Sequence, residues 1–292
     1  LKRIRYLVGK AGTRNALPFP NSIPIEKRVN DSLIHDAREV AIAAAREAGA
    51  TLRDMLHHAS VREKGPKDLV TDADLASQSI IEGAIAKHFP RHVFVGEENS
   101  GTWQDACNSD EWTWLVDPLD GTTNYVHRFP NFAVSIGLIK GKQLMLGVVY
   151  DPMARELYCA ERSGGATMNG NSIRVSECRS LPEAMVAASF PPQVTKDSKE
   201  VEQFVEILVQ AQSVRRLGSA ALNLCYVANG RLDGYWANRL KPWDAAAGAL
   251  ILSEAGGVLE GISQREYSVW SGELIAAASS PLASELSQCL RG

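Results

Sequence analysis

Leu33, Ala37, Val40, Ala41, Ala44, Ala48, Leu52 and Met55 recur at three- and four-residue steps. This spacing predicts an amphipathic helix, with Asp31 or Ser32 available as its N-cap. Ile81, Ile85 and Phe89 mark the buried face of a second helix, entered through a turn in GPKDLVTDAD (65–74). HVFVGEEN (92–99) and EWTWLVD (111–117) predict two short strands, each ending in acid. From 131 to 188 the pattern is mostly strand, broken by turn signals at Gly141, Asp151-Pro152, Gly164-Gly165 and Asn169-Gly170-Asn171. Helices are predicted at 197–212, 219–229, 243–257 and from 281, with strands at 234–238 and 274–278. Strands and helices come in blocks, which predicts a layered α+β architecture rather than simple βαβ alternation.

Composition narrows the class. The 292 residues are 45% apolar and 22% charged with a net charge of −3, so the whole chain carries no basic footprint for nucleic acid. No apolar stretch approaches the ~18 residues of a membrane span, so no membrane partner is expected. Five scattered cysteines without Cys-x-x-Cys spacing predict free, mostly buried thiols in a reducing compartment, and the expected location is cytoplasmic. Residues 1–30 stand apart. Lys2, Arg3, Arg5, Lys10, Arg14, Lys27 and Arg28 face a single acid, Glu26, and prolines fall at 18, 20 and 24. They read as a loosely ordered basic extension, with an organelle-targeting remnant as the alternative. Residues 31–292 are expected to form one domain with halves at 31–180 and 181–292.

The chemistry concentrates in WLVDPLDGTTNYVHRFP (114–130). An apolar strand there runs into Asp117 and Asp120, two acids three residues apart, followed by Gly121-Thr122-Thr123. Burying two carboxylates together is costly unless a cation lies between them. Glu97 and Glu98 also end a strand, and Asp74 and Asp244 stand at helix starts. Each taken alone has a capping explanation. Together they sit at the ends of separate elements, where side chains can converge on a hard divalent cation. The amides of Gly121, Thr122 and Thr123 at a helix start suit phosphate oxygens.

In these motifs the chain resembles the inositol monophosphatase family of magnesium-dependent phosphatases. WLVDPLDGTTNYVHRFP (114–130) is similar to the family's first signature and WDAAAGALILSEAGG (243–257) to its second, with DLVTDAD (68–74) and FVGEE (94–98) in support. The likeness covers roughly 33–290. It implies an αβαβα sandwich, commonly dimeric, that hydrolyses phosphate monoesters with two or three Mg²⁺ and is inhibited by Li⁺. Glu97, Asp117 and the Leu119 carbonyl would bind the first ion, and Asp117, Asp120 and Asp244 the second. Glu97 could reach a third through water. Asp74 and Thr122 would orient and help deprotonate the attacking water. Gly121, Thr122 and Thr123 would hold the phosphate.

The resemblance also places Ser189 and RRLGSAALNL (215–224) against the organic part of the substrate, with Gly218, Ser219 and Ala220 closest. Inositol-specific members carry a Glu seven residues before the WD aspartate, and here that position is Ala237. The expected substrate is a small alcohol or sugar phosphate of the inositol-1-phosphate kind, with histidinol phosphate or another sugar phosphate as alternatives. A non-catalytic regulatory protein on the same fold is the competing class. Tyr235, Trp236 and Trp243 are expected in the core, and Arg215 and Arg216 as a solvated pair or part of a dimer surface.

Overall fold

A computed structural model describes residues 25–65, 68–99, 103–107, 109–191, 193–263 and 266–291. The basic extension lies outside the described residues as far as 24. Ile25–Met55 forms α1. The helix thus begins earlier than expected, and Asp31 and Ser32 lie inside it rather than at its cap. No glycine or proline interrupts the sequence from Ile25 to Leu33, so nothing stops the helix from propagating back.

An antiparallel hairpin, β1 (Val61–Gly65) and β2 (Asp68–Thr71), leads into α2 (Asp72–His88). β3 (Val93–Gly96) enters a single 3-10 turn at Glu97–Asn99. α3 (Trp103–Ala106), β4 (Trp112–Asp120) and α4 (Thr122–Val126) follow. A meander then runs through β5 (Ala133–Lys140), β6 (Gln143–Asp151), β7 (Glu156–Glu161), β8 (Gly165–Met168) and β9 (Asn171–Ser172). The rest comprises β10 (Met185–Ser189), α5 (Lys199–Gln210), β11 (Ser213–Arg215), α6 (Ala220–Ala228), β12 (Gly234–Ala237), α7 (Pro242–Glu254), β13 (Val258–Glu260), β14 (Leu274–Ala277) and α8 (Ser280–Arg291). The hairpin and the three-residue strands β11 and β13 were not legible, because segments that short carry no period to read.

Two sheets result. One is seven-stranded in the order β3-β4-β5-β6-β7-β8-β9, parallel only between β3 and β4. The other is five-stranded in the order β11-β10-β12-β14-β13. α1 and α2 cover the outer face of the first sheet through Ala37, Ala41, Leu52, Ile81 and Ile85. α6 and α7 fill the space between the sheets, packing Leu224, Ala247 and Ile251 with Val149 and Tyr235. α8 and α5 close the far face of the second sheet around Trp236, Leu282 and Ile207. The layers are therefore αβαβα. Tyr235, Trp236 and Trp243 are buried, as expected of core residues. Cys159 and Cys225 are buried and the other three cysteines are partly so, all as free thiols.

α7 is apolar on nearly every side because it is sandwiched. Its seat on the first sheet depends on two glycines paired across β5 and β6, Gly137 and Gly147. A Cβ at Gly147 would stand 2.5 Å from the Ala247 carbonyl oxygen, and one at Gly137 would stand 2.8 Å from the Ala246 Cβ. These are backbone and short side-chain neighbours that cannot swing away. Gly147→Ala is therefore expected to cost about 1–3 kcal/mol through overpacking. Urea unfolding of parent and variant measures this, and an unchanged midpoint would show that the close approach of α7 is not needed.

Candidate active site

β4 continues past Asp117 to Asp120, further than the strand expected from its sequence. Asp117 opposes Ser135 on β5 and Asp120 opposes Ala133, so three steps on one strand match two on the other. This is a bulge at Pro118-Leu119. Pro118 has no N–H to give to a ladder, which makes it a natural bulge residue. In a regular strand, residues three apart point to opposite faces. The bulge reverses that parity and turns both carboxylates into the same cleft. The loose backbone is held locally. Leu119 N donates to Asp117 Oδ1 at 3.0 Å, and Ser77 Oγ donates to the Pro118 carbonyl at 2.7 Å.

The other acids arrive on separate supports. Pro242 occupies the first turn of α7, and Lys241 N donates to Asp244 Oδ2 at 2.8 Å. Ser135, the partner of Asp117 in the ladder, donates through Oγ to the Trp243 carbonyl at 3.3 Å. That bond sets Asp244 beside Asp117. Glu97 opens the 3-10 turn after β3, and Glu98 N donates to Gln78 Oε1 on α2 at 3.0 Å. Carboxylate oxygens of Glu97, Asp117 and Asp244 all lie within 4.8 Å of one another.

Asp120 is held differently. Ser219 Oγ donates to its Oδ2 at 2.5 Å, Ala221 N to Oδ2 at 2.8 Å and Ala220 N to Oδ1 at 3.1 Å. It serves the N-terminus of α6 while facing the same cleft as Asp117. Asp74 caps α2 in a box with Thr71. Thr71 N and Oγ1 donate to Asp74 Oδ2 at 2.8 and 2.6 Å. Thr122 Oγ1 stands 3.1 Å from both Asp74 Oδ1 and the Leu119 carbonyl.

Gly121 has φ 99°, a left-handed turn that starts α4, and a side chain there would meet the Asn131 and Gly218 carbonyls. Gly121, Thr122, Thr123, Ser189, Gly218 and Ala220 line a cleft of ≈ 510 Å³ with the acids Glu97, Asp117, Asp120 and Asp244. Ser219 reaches it through Asp120. Ala237 does not line it. Its side chain is fully buried, and its backbone pairs with Ser189 and Leu274 inside the second sheet. The seven-residue count back from Asp244 thus falls on a core position.

The cleft also contains Leu69, Asn124, Phe190, Arg216 and Leu240, none of them singled out as a site residue from the sequence. Asn124 had a signal, since it lies in the quoted motif. Arg216 also had one, since it lies in the stretch 215–224 that the resemblance sets near the organic substrate.

Burial pushes the Asp117 and Asp244 carboxyls well above the ordinary range, and Glu97 adds like-charge repulsion to both. Burial also raises Asp120 to about 6, against the pull of Ser219 and the α6 amides. Asp74 is raised chiefly by burial. A carboxyl raised in the folded protein favours folding fully below its unfolded value of about 4 and loses that contribution as pH rises through its folded value. With metal chelated, Asp117→Asn is therefore expected to melt above the parent at pH 7.5, with the gap narrowing toward pH 5. Each kcal/mol is worth about 2–4 °C in a domain approaching this size. Thermal melts across pH test this, and a variant less stable than the parent at pH 7.5 would deny that Asp117 is crowded.

Comparison with known proteins accords with this geometry. The model of the inositol monophosphatase family matches residues 34–291. Inositol monophosphatase 1 of Solanum lycopersicum is 42% identical over 243 residues, covering 81% of this chain and 88% of that protein. Nus factor SuhB of Vibrio cholerae is 39% identical over 252 residues, 84% of this chain and 92% of that one. The structure of inositol monophosphatase from Anabaena (Nostoc) superposes with a TM-score of 0.77 at 34% identity, covering 89% of this chain and 96% of that one. With the signatures, the layered fold and the match across nearly its whole length, this chain belongs to the inositol monophosphatase family.

Proposed function

We propose that the chain is a Mg²⁺-dependent phosphomonoesterase acting on a small alcohol or sugar phosphate, in the manner of an inositol-1-monophosphatase. The observation that carries this reading is the meeting of Glu97, Asp117 and Asp244 within 4.8 Å, with Asp120 in the same cleft. The donor set is all oxygen and includes two carboxyls held far above their ordinary values, which fits a hard cation. Glu97, Asp117 and the Leu119 carbonyl would hold one Mg²⁺, Asp117, Asp120 and Asp244 a second, and Glu97 a weaker third through water. Bound Mg²⁺ supplies a water of lowered pKa and neutralises phosphate charge.

The chain's own groups do the rest. Thr122 Oγ1 has one proton and two acceptors within reach, Asp74 Oδ1 and the Leu119 carbonyl. If the carbonyl is engaged elsewhere, the hydroxyl donates to Asp74 and its lone pairs accept from the attacking water. Asp74 Oδ2 is fixed by Thr71, so Oδ1 is the atom presented to Thr122. A carboxyl raised by burial is a better proton acceptor than an ordinary aspartate. The amides of Gly121, Thr122 and Thr123 would hold phosphate oxygens. Ser189, Gly218 and Ala220 would face the leaving alcohol, with Ser219 behind them. Ala237 lies in the core of the second sheet and off the cleft, so it carries no argument about which alcohol is preferred. A homodimer inhibited by Li⁺ belongs to the same proposal, on the family resemblance.

A second reading, a regulatory protein, is favoured by the relatives named Nus factor. Phosphate release separates the two. The parent is expected to hydrolyse phosphomonoesters with Mg²⁺ and to stop in excess chelator. Asp74→Asn should lower kcat by about 100-fold or more with KM within a few-fold, as befits a group that acts on the water's proton. Absence of hydrolysis across a broad ester panel would favour the regulatory reading, and undiminished turnover by Asp74→Asn would remove Asp74 from the proton path.

A further inference from the structure

Among the described residues Arg216 is the only basic side chain lining the cleft. Its neighbours in charge are committed elsewhere. Arg215 donates to Ser213 and to the Val214 carbonyl, Arg239 pairs with Glu200 at 3.7 Å, and Lys241 lies over the Trp103 ring. Among the described residues no carboxylate pairs with Arg216. Its guanidinium carbon instead stands over the Phe190 ring, 4.2 Å from the centroid, with one long bond of 3.4 Å to the Phe190 carbonyl. A contact of this kind restrains the guanidinium while occupying none of its five N–H donors, of which the bond to the Phe190 carbonyl uses one.

The backbone that carries Arg216 is anchored too. The carbonyl of the next residue, Leu217, accepts from Asn124 Nδ2 at 2.8 Å and from Asn131 Nδ2 at 3.1 Å. Asn124 Nδ2 also donates to the Asn131 carbonyl at 2.7 Å, and Tyr226 Oη donates to Asn131 Oδ1 at 3.1 Å. A side chain on Gly218 would strike Asn124. Ser219 then reaches Asp120. A rigid turn thus holds a pre-oriented guanidinium three residues from a residue that touches the acid cluster. Ser189, Phe190 and Leu240 form the adjoining wall.

Resting on the functional reading above, we propose that Arg216, braced by Phe190, determines substrate class by binding a second anionic group on the leaving alcohol. The planar fork matches a carboxylate or a second phosphate bidentately, which a neutral polyol does not offer. The preferred substrates are therefore phosphate monoesters of acidic or doubly phosphorylated alcohols.

The test measures kcat/KM of the full chain with Mg²⁺ on three kinds of substrate. Glycerol 2-phosphate has a neutral leaving alcohol, 3-phosphoglycerate carries a carboxylate, and fructose 1,6-bisphosphate carries a second phosphate. The last two also tell which anion is meant. Arg216→Gln is expected to lower kcat/KM on at least one anionic substrate by roughly 10- to 150-fold, the range for a hydrogen bond to a charged partner. Glycerol 2-phosphate should change less than threefold. Phe190→Leu, which keeps the charge and removes the stacking face, should move the same substrate in the same direction by a smaller factor. Equal losses on all three substrates would place Arg216 on the reacting phosphate and overturn the inference alone, as would no loss on any. No hydrolysis by the parent would overturn the functional reading and this inference with it.

Discussion

Like charge held together in a dry place is the constraint on which the rest of this molecule depends. Glu97, Asp117 and Asp244 bring carboxylate oxygens within 4.8 Å of one another, and Asp117 is almost wholly buried. Water does not screen such a group; burial holds the Asp117 and Asp244 carboxyls well above their ordinary range, and the repulsion from neighbouring acids adds to it. A fold tolerates this only if rigid supports force the acids together and something positive relieves them. Each support is visible. A strand bulge turns Asp117 and Asp120 to one side, the α7 start carries Asp244, and a 3-10 turn pinned to α2 carries Glu97.

The supports are tied to the core rather than to loops. α7 reaches the first sheet across the paired glycines Gly137 and Gly147, and Ser135 joins the α7 start to the strand opposite Asp117. The Tyr125 hydroxyl donates to the Leu52 carbonyl at 2.7 Å, fastening α4 to α1. Asp120 stands between two duties, since it caps α6 and faces the cleft. Through α6 the second half of the chain is positioned by the same acid that would touch the cation. The acid cluster and the cleft wall at Gly218 and Ala220 are thereby one mechanical unit.

Much of this was legible in the sequence, for identifiable reasons. The long helices and the meander have enough length for their periods to show. The acids at element ends stand out because a strand as apolar as Trp114–Val116 ends abruptly in charge. Three things were hidden. The bulge is a two-residue event, and the strand was expected to end at Asp117 rather than run on to Asp120. The service of Asp120 to α6 joins residues 99 positions apart, which no local pattern encodes. Arg216, though in the stretch set near the organic substrate, read as half of a solvated pair or part of a dimer surface until the turn at Leu217 and the face of Phe190 gave it a direction. The position seven before Asp244 shows the opposite limit. Spacing selected Ala237 correctly along the chain, yet the side chain is fully enclosed.

The central claim is that the crowded acids exist to receive divalent cations. Calorimetric titration of Mg²⁺ or Mn²⁺ into the chelator-stripped protein, in buffers of different ionisation heat, tests it most directly. The account predicts saturable binding that expels protons from the raised carboxyls, with more protons released at pH 6 than at pH 8, and Asp117→Asn losing most of the binding. Binding without proton release, or equal affinity in parent and Asp117→Asn, would contradict it.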